Sequence, residues 1–184
     1  MKKSGLIIIG IIVVIIIALI GSYNGLVSKK ENVENKLSNL DVMLQRRTDL
    51  IPNLVNTVKG YTSHESEIIE KITTARQNLV NANTVEDKAN ANRELSNQLE
   101  ALMVIVENYP DLQSSENFKQ LSDELAGTEN RIAVARKDYN DEVKTYNTAI
   151  KKFPKNIIAN MFSFENYEYF QATEGSTEVP SVNF

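Results

Sequence analysis

The 184-residue chain contains no cysteine, no tryptophan and a single histidine. Without cysteine there is no disulfide, no thiol nucleophile and no thiolate-bound zinc, and the redox compartment stays open. The one histidine, His64, follows Tyr61 where a Glu-x-x-His metal motif needs a glutamate. His64-Glu65 begins like a zinc-protease helix, but Ile68 occupies the place of the second histidine. His64 therefore reads as a helix-start residue, and neither metal nor cofactor is expected. The chain has no glycine-rich phosphate loop and no Gly-x-Ser-x-Gly elbow, and any Ser-His-Asp triad would have to use His64. A formal net charge of -4 gives no basic field for nucleic acid, and Arg46-Arg47 is too short a basic pair to supply one. Seven glycines and four prolines leave few breaks, which suits long helices.

What the chain does have is heptad order. From Val33 the seam runs Leu37, Leu40, Leu44, Arg47, Ile51, Leu54, Val58, Tyr61, in alternating steps of four and three. That is the stripe of a helix packed on partner helices. Ahead of it, residues 6–20 are apolar apart from Gly10. With Gly5 and the weaker stretch to Val27 the segment reaches about 23 residues, roughly 34 Å as a helix, against a hydrocarbon core of roughly 30 Å. Residues 1–27 are read as a retained transmembrane anchor, with residues 6–27 in contact with the lipid bilayer. The alternative is a cleaved signal peptide: Lys2 and Lys3 suit its charged start, but the run is long and no A-x-A site follows. Lysines flank both ends (Lys2 and Lys3; Lys29, Lys30 and Lys36), so charge gives no orientation.

Four helices are predicted after the anchor. The first spans about 24–60, with a kink expected at Pro52 and two helices meeting there as the alternative. Gly60 is its stop signal. Thr62 with Glu65 reads as a capping box for the second helix, seamed by Ile68, Ile72, Ala75, Leu79 and Ala82. Thr84 with Asp87 starts the third, seamed by Leu95, Leu99, Leu102 and Val106. Tyr109-Pro110-Asp111 is predicted to be a turn. The fourth begins near Ser115 and keeps its seam from Phe118 through Leu125, Thr128, Ile132, Tyr139 and Tyr146 to Ile150. The expected fold is all-α: an antiparallel up-down-up-down bundle of two long and two shorter helices over residues 28–170, behind a transmembrane helix. Residues 171–184 are expected to form a loose tail.

Setting Leu26 level with Ile150 makes facing numbers in the two long helices sum to about 176. Arg47 then lies opposite Glu129, beside the polar seam residue Thr128, and the two are predicted to form a structural ion pair that fixes register. The alternative is an arginine snorkelling at the seam edge. The aromatic segment supplies a second candidate site. Phe153, Phe162, Phe164, Tyr167, Tyr169 and Phe170 either cap the core or contact membrane or a partner, because such rings suit an interface.

These residues also carry a resemblance. The stretches are Tyr23-Asn24-Gly25-Leu26-Val27, Gln45-Arg46-Arg47-Thr48-Asp49-Leu50-Ile51-Pro52-Asn53-Leu54-Val55, Lys59-Gly60-Tyr61 with His64-Glu65, and Tyr109-Pro110-Asp111-Leu112. Thr128-Glu129-Asn130-Arg131-Ile132, Ala135-Arg136, Tyr139-Asn140 and Phe153-Pro154 follow. Together they resemble the LemA family of bacterial membrane-anchored proteins, over nearly the whole chain to about Phe170. Ser163 departs from a pattern that often has glycine before Phe164. The resemblance implies a single-pass protein with an antiparallel helical domain, no established enzymatic activity, a short N-terminus outside the cell and the domain in the cytoplasm. The function expected is that of a membrane-anchored interaction or scaffold protein with an unidentified protein partner. The alternatives are a lipid-contacting or membrane-remodelling protein and an enzyme using Arg, Glu and Tyr within the bundle.

Overall fold

The computed structural model describes residues 3–62 and 65–171. His64 and the tail from residue 172 onward lie outside the described residues. Those residues form six helices and no strand: α1 Lys3–Lys59, α2 Ser66–Asn81, α3 Val85–Val106, α4 Pro110–Ser114, α5 Glu116–Lys151 and α6 Lys155–Met161. The protein is all-α.

The apolar run and the first seam are one helix of 57 residues, continuous through Pro52. Proline lacks the N–H that would bond the carbonyl four residues back, which here belongs to Thr48. Arg76 Nε of α2 donates to that carbonyl oxygen at 2.7 Å. The orphaned acceptor is thus satisfied from a neighbouring helix, and a charge-assisted bond of this kind contributes about 1.5–3 kcal/mol. This accounts for a proline that neither ends nor divides α1.

Two local expectations are corrected. The Thr62–Glu65 capping box does not form. Thr62 is buried and its hydroxyl donates back to the Val58 carbonyl at 3.1 Å, while Glu65 Oε1 accepts from the Tyr109 hydroxyl at 2.7 Å. Both side chains are engaged elsewhere, and α2 begins without a side-chain cap. Tyr109-Pro110-Asp111 is not a turn but the start of α4, with Pro110 in its first turn, where a missing N–H costs nothing. Thr84 Oγ1 does accept from the Asp87 amide, at 3.0 Å, and caps α3.

The chain divides into two compact units, Met1–Ser38 with Asp138–Glu168 and Asn39–Lys137 with Tyr169–Phe184. In the first, Leu26, Val33, Tyr139, Val143, Tyr146 and Ile158 are buried. Lys36 Nζ and Asp138 Oδ2 join α1 to α5 at 3.1 Å. In the second, α2 packs along α3, and Leu40, Leu44, Ile51, Leu54, Ile72, Leu95, Leu102, Leu125 and Ile132 are buried. Burying each such aliphatic side chain is worth about 1.5–3 kcal/mol, so the seams drive the packing. Tyr61, the last predicted seam position, is 48% exposed because α1 stops at Lys59 and the heptad no longer sets its direction.

Candidate functional site

Two groups of residues stand out, one in each unit. In the second unit α1 carries Arg47 into the core at 3% exposure. The seam that buries Leu44 and Ile51 also buries the position between them. Its guanidinium is held from two other helices. Nη1 donates to Asn92 Oδ1 at 2.7 Å and meets Glu129 Oε2 at 2.8 Å, and Nη2 donates to Ser96 Oγ at 3.1 Å. The Ser96 hydroxyl in turn donates to the Asn92 carbonyl at 3.1 Å, so α3 presents a prearranged pair of acceptors. Burial lowers the Arg47 pKa, while the charges of Glu129 and then Glu100 act in the opposite sense. The bonds to Asn92 and Ser96 and the two carboxylate charges favour the charged guanidinium. The Glu129 side chain is half exposed, so the pair joins a buried cation to a solvated anion.

Arg47 and Glu129 line a cleft of about 210 Å³ whose walls include Leu99, Met103, Leu125 and Ser122. No cluster of three or more metal-ligating side chains occurs among the described residues. The sequence reading missed Asn92 and Ser96. The only trace of Asn92 is its place three residues before seam residue Leu95, where an apolar residue would continue the stripe.

In the first unit the aromatic segment lies against α1. Tyr23 meets Phe162 with ring centroids 4.8 Å apart and Phe164 at 5.8 Å. Tyr146 meets Tyr167 edge-on at 5.3 Å. The backbone of the segment is clamped by one side chain. Asn147 Nδ2 donates to the Tyr167 carbonyl at 2.8 Å, and the Tyr167 amide donates to Asn147 Oδ1 at 3.0 Å. The Tyr139 hydroxyl donates to the Glu168 carbonyl, and the Tyr167 hydroxyl donates to Glu34 Oε1 at 2.7 Å. Burial and the Glu34 carboxylate together push the Tyr167 phenol well above its ordinary pKa; burial chiefly raises Tyr146.

The structure separates the six aromatic candidates. Phe153 is 80% exposed, Phe162 54% and Tyr169 47%, whereas Phe164 and Tyr167 are half-buried. Phe170 is a correction: at 1% exposure it belongs to the core and offers no contact surface. Ahead of this group, every side chain in residues 6–20 is exposed. α1 is the one described helix long and apolar enough to cross a membrane.

Fold and sites together define an all-α protein with a candidate membrane span at its N-terminal end. The chain belongs to the LemA family, whose model matches residues 36–184. It is similar to Magnetosome protein MamQ 2 of Paramagnetospirillum magneticum, 32% identical over 87% of this chain and 68% of the relative. It is 31% identical to Magnetosome protein MamQ of Magnetospirillum gryphiswaldense, over 86% of this chain and 68% of the relative. Protein LemA of Metamycoplasma hominis is 30% identical over 84% and 71%.

Proposed function

We propose that the protein is a single-pass, membrane-anchored scaffold of the LemA type, which acts by presenting a helical surface to a protein partner and not by catalysis. The carrying observation is that the fully exposed apolar run of residues 6–20 is continuous, within α1, with the seam that builds the helical domain. An exposed run of this length is costly in water and suited to lipid, where every backbone group is bonded within the helix. The up-down-up-down order belongs to this reading and is supported by the short connections between successive helices. The family resemblance supports an N-terminus outside the cell with the domain in the cytoplasm.

Alkaline carbonate extraction of membranes carrying the intact protein tests the anchor. The full-length chain should stay in the pellet. Release into the supernatant, or a chain shortened by removal of its first 20 or so residues as a signal peptide would be, would overturn the reading. A second reading, lipid contact through the aromatic segment, is favoured by one specific observation: Phe162 and Phe164 pack on Tyr23, only three residues beyond the apolar run.

A further inference from the structure

A cleft of about 520 Å³ opens in the first unit beside Tyr23 and Val27 of α1. Its position follows from the helix itself. Tyr23 and Val27 lie about 5 and 10 Å along α1 from Ile20, at a rise of 1.5 Å per residue. If the span takes the roughly 20 residues that a hydrocarbon core needs, starting at residue 6, it ends near residue 25, so Tyr23 and Val27 bracket its edge, beside the lipid headgroups. The inference therefore rests on the anchor reading.

The walls are of two kinds. Tyr23 with Phe162 and Phe164, and Tyr146 with Tyr167, are ring pairs inclined at 57° to 74°. Rings at such angles form corners, not stacks, and all five line the cleft; aromatic faces attract ammonium groups. The charged lining is Glu31, Glu165 and one cation, Lys30. Glu34, which holds the Tyr167 hydroxyl, adds a further carboxylate close by and lies 3.7 Å from Lys30 Nζ. Acidic groups with aromatic faces suit a cation, and a lone lysine beside them suits an adjacent phosphate. A second ammonium stands at the same level of α1, because Lys155 Nζ approaches within 4.0 Å of where a side chain at Gly25 would begin.

We propose that this cleft binds the headgroup of a zwitterionic aminophospholipid, its ammonium against the aromatic corner and the two glutamates, its phosphate at Lys30. An anionic phospholipid lacking the ammonium meets the same carboxylates with no positive group of its own to pair with them. The occupant is a lipid, since the cleft adjoins the span that would hold its acyl chains.

The full chain in neutral maltoside micelles, given equal amounts of dioleoyl-phosphatidylethanolamine and dioleoyl-phosphatidylglycerol, tests this by native mass spectrometry of the lipid adducts. Phosphatidylethanolamine adducts should exceed phosphatidylglycerol adducts about fivefold, the scale of one partly exposed cation–π contact. The combined Glu31→Gln and Glu165→Gln variant should bring the ratio near one, and Phe162→Ala should lower it. All three residues are exposed, so circular dichroism of the variants should be unchanged. Equal adducts, an excess of the anionic lipid, no adduct at all, or a ratio unmoved by the variants would overturn the proposal. Failure of the anchor reading shows instead in the carbonate extraction, which the micelle measurement does not depend on.

Discussion

At the scale of single residues, the Arg47 node separates two kinds of partner. Asn92 is buried at 4% exposure and meets the guanidinium directly, whereas the Glu129 carboxylate is half in water. Removing Asn92 leaves a buried donor unsatisfied, at about 1–3 kcal/mol, while glutamine at 129 keeps an oxygen that can accept from Nη1 and gives up only a charge that is half in water. Asn92→Ala should therefore destabilise the protein more than Glu129→Gln in urea unfolding; the reverse order would show that the ion pair dominates. Ser163 provides a second case. It has φ 54° immediately after α6, and the Phe164 amide reaches back to the Ala159 carbonyl at 2.9 Å. This is the left-handed ending that glycine suits, and a side chain there costs about 1–2 kcal/mol, partly offset by glycine's greater freedom when unfolded. Ser163→Gly should stabilise by about 0.5–1 kcal/mol, read as a higher denaturation midpoint, and a lower midpoint would contradict that account.

At the scale of elements, periodicity told most. The seams of α3 and of most of α5 are buried where the heptad puts them, because burial follows the 3.6-residue repeat directly. What escaped the sequence was bonding at helix ends, where side chains choose among several local partners. Thr62 turned back to Val58, Glu65 was taken by Tyr109, and Pro110 opened a helix. Pro52 was readable as a perturbation, but the remedy, Arg76, is 24 residues away in sequence and carries no mark of it. A double-mutant cycle tests that remedy. Arg76→Met should cost about 1–3 kcal/mol. In a Pro52→Ala background, where the restored amide can bond Thr48, the cost should drop by about 1 kcal/mol or more. Additive effects would mean that Arg76 does not serve the carbonyl.

The segment after α6 yields a pH prediction. Tyr167 and Tyr146 have raised pKa values when folded, so above about pH 10 the unfolded chain releases these protons first. Stability is then complete below pH 10 and falls as pH rises. Tyr167→Phe removes one such proton, so its stability should fall less steeply between about pH 10 and 11.5 in the same regime. Parallel curves would show that neither burial nor the Glu34 contact holds the Tyr167 proton.

At the scale of the whole molecule, the apolar N-terminal run and the helical class were legible because composition and period declare them. The register arithmetic puts Glu129 opposite Arg47, and the structure holds them 2.8 Å apart. The division into two compact units was not legible, because the α1 and α5 seams pass residues 38 and 137 without a change of character. The central claim is that α1 leaves the bilayer as the same helix that enters the protein. Because the chain has no cysteine, one introduced thiol takes a spin label without ambiguity. With Val14→Cys in proteoliposomes, dissolved oxygen should relax the label more than a water-soluble nickel chelate does, and with Val80→Cys, exposed on α2, the order should reverse. A residue-14 label relaxed mainly by the nickel chelate would place the run in water and contradict the account.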